Sequence, residues 1–147
     1  MTDAAGTIMQ LLNDNWSLSS PAKTDVYWAA SKVEAVDFTR IGKNYVIACY
    51  APMTVASSKP STFELWEIEE NIVVDVVCKV TGTVQQACDK RELMRAEVYR
   101  VMHGFETSKG THGFSWVHVK SEGNKSESPD LVRVSLLINC LSFKAKP

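Results

Sequence analysis

Residues 72–103 read IVVDVVCKVTGTVQQACDKRELMRAEVYRVMH, and the change of period inside this stretch decides the fold. In its first part Ile72, Val74, Val76, Cys78 and Val80 fall on one side of an extended chain, and Val73, Asp75, Val77 and Lys79 on the other. The polar members of the second set point to partial exposure of that side. At Thr83 the pattern switches. Thr83-Val84-Gln85-Gln86 has the capping-box form, with Thr83 at N-cap and Gln86 at N3. The helix it opens is expected to run to His103, with Gly104 in the left-handed position beyond its end. Ala87, Met94, Val98, Val101 and Met102 form its buried stripe. Asp89 and Glu92 lie toward its start and Arg100 and His103 at its end, as the helix dipole favours.

Outward from this strand–helix unit, the rest of the chain falls into place. Upstream, the strand is expected to begin near Phe63, with a twist or bulge around Glu67, Glu69, Glu70 and Asn71. Residues 3–16 carry Ala5, Ile8, Leu12 and Trp16 at helical spacing, widened by Met9 and Leu11. Thr2 or Asp3 can cap that helix, and Ser17-Leu18-Ser19-Ser20-Pro21 stops it. A linker through Asp25 follows. Residues 33–38 read as an edge strand, residues 41–44 as a turn, and residues 45–50 as a strand apolar on both faces. Residues 51–62, APMTVASSKPST, lack helical period and read as a long exposed loop. Beyond the central helix, residues 104–113 are polar and Gly-rich, and residues 114–119 are a strand candidate. Residues 121–130 read as a polar connection, and residues 131–143 as a long strand. No internal repeat is visible. The order implies an α+β fold: a mixed, mostly antiparallel sheet with an N-terminal helix and one long central helix packed on one face.

The 147 residues fit one domain, which at this length buries roughly 68–70% of its unfolded surface and needs no staples. A hydrophobic share of 45%, a charged share of 22% and a net charge of −1 are those of an ordinary folded domain, without the basic surplus of a general nucleic-acid binder. No apolar run approaches the ~18 residues of a membrane span, and the N-terminus lacks a basic secretion signal. Cys49, Cys78 and Cys140 lie in strand-like runs and no pair, Cys88 included, has C-x-x-C spacing. Reduced, buried thiols are the expectation.

No G-x-S-x-G frames a nucleophile and no phosphate-binding Gly-rich loop exists. His103, His112 and His118 read as surface or capping residues, although His112 and His118 together are the one pair that invites a metal. Glu64, Glu67, Glu69 and Glu70 read as solvated surface or a partner contact. No residue is assigned a catalytic, cofactor-binding or metal-binding role, and no cofactor is expected. Trp16, Trp28, Trp66 and Trp116, with Tyr27, Tyr45, Tyr50 and Tyr99, read mainly as packing, with one or two at subunit contacts. They do not interleave with Lys and Arg as an RNA-stacking platform does.

The N-terminal helix ending near Trp16, the strand WEIEENIVVDVVCKVTG, the helix ACDKRELMRAEVYRVMHGF and the final strand LVRVSLLINCLSF follow in an order that resembles the tail terminator (tail completion) proteins of long-tailed phages and related viruses. The family includes the lambda terminator, and the order is also similar to the neck proteins that join head to tail. The resemblance spans residues 8–143, is strongest over 72–103 and rests on element order and residue character. It implies a homohexameric ring that caps the tail tube, ends its polymerisation and meets the head-completion or connector protein. DNA passes through such a ring without sequence-specific binding. No turnover and no membrane are implied, and the place of action is the virion tail or neck, assembled in the host cytoplasm. Residues 51–62 and 104–113 would be the contact loops, on the scaffold of residues 63–80 and 83–103. The competing readings are a head-closure or tail-tube component, a cytosolic ligand-binding α+β module, and an enzyme without a motif.

Overall fold

The computed structural model describes residues 4–31, 38–52, 57–60, 65–103, 114 and 116–145. Helix α1 spans Ala4–Asn15 and a short 3-10 turn spans Lys23–Asp25; strand β1 spans Val26–Ala29 and helix α2 spans Phe38–Ile41. Strands β2 (Tyr45–Tyr50), β3 (Ser57–Pro60) and β4 (Leu65–Lys79) follow. Helix α3 spans Val84–His103, and strands β5 (Trp116–Glu127) and β6 (Leu131–Ala145) complete the order. The strands form one sheet in the order β1-β2-β4-β6-β5, with β3 paired to β4 off that path. Only the β1–β2 pair is parallel. The expected α+β class, with its mixed and mostly antiparallel sheet, is the one observed.

The sheet's spine is the β4–β6 ladder, in unbroken register from Leu65↔Ala145 to Lys79↔Leu131. The bulge expected around residues 67–71 is absent. Asn139 bridges Glu69 and Asn71 across the ladder there, at 2.7 and 3.0 Å. The irregularities lie in β5 instead, between Val119 and Ser121 and between Gly123 and Ser126. β5 therefore runs through most of the segment expected to be a polar connection. The turn to β6 is only a few residues long, and the Ser128 hydroxyl accepts the N–H groups of Asp130 and Leu131.

One face of the sheet carries the main core. Ile72, Val74, Val76 and Cys78 of β4 and Val132, Val134, Leu136, Ile138 and Cys140 of β6 pack with Ile47, Cys49 and Val117. Over them lie Ala5, Ile8, Leu11 and Leu12 of α1 and Met94, Val98, Val101 and Met102 of α3. Both long helices thus share one face, as an apolar stripe on each demands. The capping box of α3 is formed in both directions: Thr83 N–H donates to Gln86 Oε1 at 3.1 Å, and Gln86 N–H to Thr83 Oγ1 at 3.2 Å. Trp16 closes the lower end of α1, edge-on to Trp28 at 5.4 Å. The opposite face has a small apolar cluster of Ala29, Val46, Ala48 and Val77 beneath Phe38 and Ile41 of α2.

Two local expectations change. β1 falls directly after the linker and ahead of the expected edge strand at 33–38, of which residues 33–37 lie outside the described residues and Phe38 opens α2. The segment 51–62, expected to be an irregular loop, contains β3, which pairs with Trp66–Glu69 at the edge of β4 beyond the end of β2. Its remaining residues 53–56, 61 and 62, the polar segment 104–113 and the caps Thr2 and Asp3 lie outside the described residues. The turn at 41–44 is present, with Gly42 at φ +67°, a backbone region that glycine enters freely.

Candidate functional site: the polar face and the edges of the sheet

The side chains that α1 and α3 do not cover are those of the polar second face, most of them buried or half-buried, and those along the two outer edges of the sheet. On β4 and β6 this second face presents Asn71, Val73 and Asp75 in register with Asn139, Leu137 and Ser135. Asp75 was expected to be partly exposed, yet it is only 3% exposed. The correction has a chemical reason: the Tyr50 hydroxyl donates to its Oδ2 at 3.0 Å, and the Ser135 hydroxyl donates to its Oδ1. Two donors from β2 and β6 satisfy a carboxylate that would otherwise be costly to bury. Both hydroxyl protons go to the same carboxylate, so the group ties three strands together.

Further along the same face, His118 of β5, Asn139 of β6 and Asn71 of β4 stand side by side in register. Asn139 donates to both Glu69 and Asn71. His118 packs its ring against Trp116 at 5.3 Å. His118 Nδ1 and Arg133 Nε are buried without a hydrogen-bond partner among the described residues. Trp116 itself is 55% exposed and stands on the outermost strand. At the other outermost strand Tyr27 is 40% exposed. Each edge of the sheet thus displays one aromatic side chain, the residue type enriched at protein contacts.

The charged groups between α3 and β5 are spent on each other. Arg95 Nε pairs with Glu122, Tyr99 donates to the same carboxylate at 2.7 Å, and the Arg95 guanidinium lies 5.0 Å over the Tyr99 ring. Burial pushes the Glu122 carboxyl up, but the Tyr99 and Arg95 hydrogen bonds outweigh it and leave the pKa lowered. Arg91, only 2% exposed, reaches Glu127 at 3.1 Å and Glu92 at 3.3 Å. Its hydrogen bond, with a further one from Cys88, holds the Glu127 carboxyl low. Between α3 and β4 an open recess of about 320 Å³ is lined by Tyr45, Lys79, Gln86 and Lys90 among others.

No family model and no curated protein matches this chain. The surface has to be judged on its own chemistry. Among the described residues no three His, Cys, Asp or Glu side chains gather closely enough to hold a metal ion. Of the histidines singled out by sequence, His103 ends α3 edge-on to Tyr99, His118 sits on the sheet, and His112 lies outside the described residues. Of the glutamates, Glu69 is engaged by Asn139, Glu70 is half-buried in β4, and Glu64 lies outside the described residues. No helix among the described residues is long and apolar enough to cross a membrane.

All four cysteines are free and buried. Burial pushes the thiols of Cys49, Cys78 and Cys140 up to about 12, and that of Cys88 is raised as well, by burial first and by its bond to Glu127 second. A thiolate is the reactive form. Folded protein at mildly alkaline pH is therefore expected to react only slowly with a thiol reagent, and unfolded, non-reduced protein to show four reactive groups. Two groups or none after unfolding would contradict the assignment.

Sequence reasoning missed Arg91, Glu97, Ser135 and Asn139 as buried polar residues. For Arg91 a signal existed, since it falls at helical spacing between Ala87 and Met94 in the buried stripe. For Ser135 and Asn139 the signal lay in the partner strand, which spacing within one strand does not reveal.

Proposed function

We propose that this chain is a structural virion protein that caps a tail tube as a ring, ends its polymerisation and joins the tail to the head connector. The observation that carries the reading is the layer arrangement: both long helices cover one face of the sheet, and each outer edge displays an exposed aromatic side chain, Tyr27 on β1 and Trp116 on β5. A part that works by contact needs broad complementary surface, where a ligand binder or enzyme needs an enclosed pocket with convergent groups. The ionic groups between α3 and β5 are already paired within the chain, which fits a scaffold role. Its partners on this reading are further copies of itself, the tail tube protein and a head-completion or connector protein. DNA threads the ring without sequence-specific binding, and the protein resides in the virion.

The test is imaging of assembled particles together with tail-length measurement in particles lacking the protein. Six copies at the head–tail joint are expected, a ring of about 98 kDa from chains of 16.3 kDa, with overlong tubes in its absence. A five-fold or two-fold arrangement, or no place in the tail, overturns the proposal.

A further inference from the structure

We infer that copies of this chain join edge to edge, the first four residues of β5 in one copy pairing with β1 of the next, so that the sheet continues through the junction. The occupant of each edge is a second copy of this chain. The inference draws on the proposed ring for closure alone; the pairing itself follows from polarity, pattern and charge.

Polarity comes first. β1 is parallel to β2, β2 is antiparallel to β4, and β4 and β5 are both antiparallel to β6. β1 and β5 therefore run in opposite directions at the two ends of the sheet. When a second copy is placed alongside in the same orientation, β5 meets β1 antiparallel, the hydrogen-bonding arrangement favoured between strands. Among the described residues neither outer edge has a partner strand.

Pattern comes second. Val26 and Trp28 belong to the helix-covered face of the sheet, and Tyr27 and Ala29 to the other. Val117 and Val119 belong to the helix-covered face, and Trp116 and His118 to the other. One antiparallel register aligns all four: Val26 with Val119, Tyr27 with His118, Trp28 with Val117 and Ala29 with Trp116. In that register apolar side chains meet on the helix-covered face. On the other face Tyr27 comes beside the Trp116–His118 ring pair, and Trp116 reaches the apolar cluster of Ala29 and Phe38. A shift by one residue puts every side chain on the wrong face.

Charge comes third. Beyond the four pairs, at the same end, lie Asp25 in the 3-10 turn and Lys120 at the first register break of β5, both exposed and opposite in charge. Their attraction supports this direction of approach without extending the ladder.

The remainder of β5 carries the devices that keep edges from pairing: two breaks of register and the exposed Lys120 and Lys125. Trp116–Val119 and β1 carry neither bulge, lysine nor proline. Edge protection thus stops at the stretch where aromatic side chains are displayed. Five strands at ~4.8 Å give ~24 Å per copy, so six copies close a cylinder of backbone roughly 46 Å across when the strands run along its axis. A four-pair ladder covers less than the ~800 Å² per partner of a standard interface. Free protein therefore associates weakly, and closure of every edge at once holds the assembly.

The test uses the full chain with Tyr27→Cys and His118→Cys together, treated at high concentration with a short bismaleimide. Tyr27 is exposed and His118 half-buried on the outermost strand, and thermal melts verify that the variants fold. A ladder of cross-linked species is expected from the double variant. The two single variants mixed should give dimers and nothing larger. Adding Trp116→Lys should cut the yield about tenfold. Cross-linking of Tyr27→Cys alone at equal yield overturns the inference, because β1 then meets β1. So does no cross-linking in any variant, and a six-fold ring still seen in particles then leaves the ring reading standing without this interface. A ladder that stops at six copies supports both readings. One that runs on without limit supports the edge pairing and removes the closed ring.

Discussion

Leu136→Ala is expected to lower stability by about 2–5 kcal/mol, the range for deleting a fully buried leucine side chain. Leu136 has no solvent exposure and lies in β6 opposite Val74 of β4, on the face that α1 and α3 cover. The sheet around it is held in an unbroken ladder, so the backbone has little freedom to collapse into the space left behind. A chain of this size loses roughly 2–4 °C per kcal/mol, which puts the fall in Tm at roughly 4–20 °C. Leu137→Ala serves as the control: the neighbouring side chain is half-buried on the opposite face and should cost distinctly less. Urea unfolding of both variants checks this, with the midpoint moving and the slope unchanged. Equal losses at the two positions would show that the helices do not distinguish the faces as described.

The contrast between those neighbours is also what made much of the fold readable. β2, β4, β6 and α3 each carry a run long enough for periodicity to declare which side is buried, and the order of those runs implies the architecture. The elements that escaped are short or polar for physical reasons. β1 is four residues, VYWA, too short to show alternation against a linker. β3 is SSKP, and a proline demotes a run unless it lies on an edge, which β3 does. The last eight residues of β5, KSEGNKSE, are broken by register shifts, so their side chains alternate with no fixed face and read as a loop. The polar surface was half legible. Asp75 stood out as polar within an apolar strand, but its burial depends on Tyr50 and Ser135, residues that pairing and not sequence proximity brings to it. Tyr27 and Trp116 stand among eight aromatic residues that the sequence assigns mainly to packing, with one or two at subunit contacts; their exposure at the sheet edges and the opposite polarity of their strands needed the topology.

Glu97→Ala is expected to cost about 1–3 kcal/mol, because the carboxylate is the tie between the end of α1 and the middle of α3. Glu97 is 4% exposed and accepts the Ser17 N–H at 2.9 Å, the Ser17 hydroxyl at 2.7 Å and the Arg100 Nε–H. Arg100 in turn donates to the Asn15 carbonyl, one of the acceptors that a helix end leaves open. Removing the carboxylate releases Ser17 and frees Arg100 from its second anchor. Burial pushes the Glu97 carboxyl up, but the hydrogen bonds from Arg100 and Ser17 push it down further, and its pKa is lowered overall. A carboxyl with a lower pKa in the folded state contributes fully above its unfolded pKa, about 4.3, and loses that contribution as pH falls through its folded value. Glu122 and Glu127 shift in the same direction, so the folded protein should lose stability as pH falls below that value. Glu97→Gln keeps the shape and one acceptor but not the charge. It should be less stable than the parent protein at neutral pH, and the gap should close as both are taken into acid. A gap that stays constant from neutral to acidic pH would mean that Glu97 acts through packing alone, with its charge contributing nothing to the α1–α3 tie.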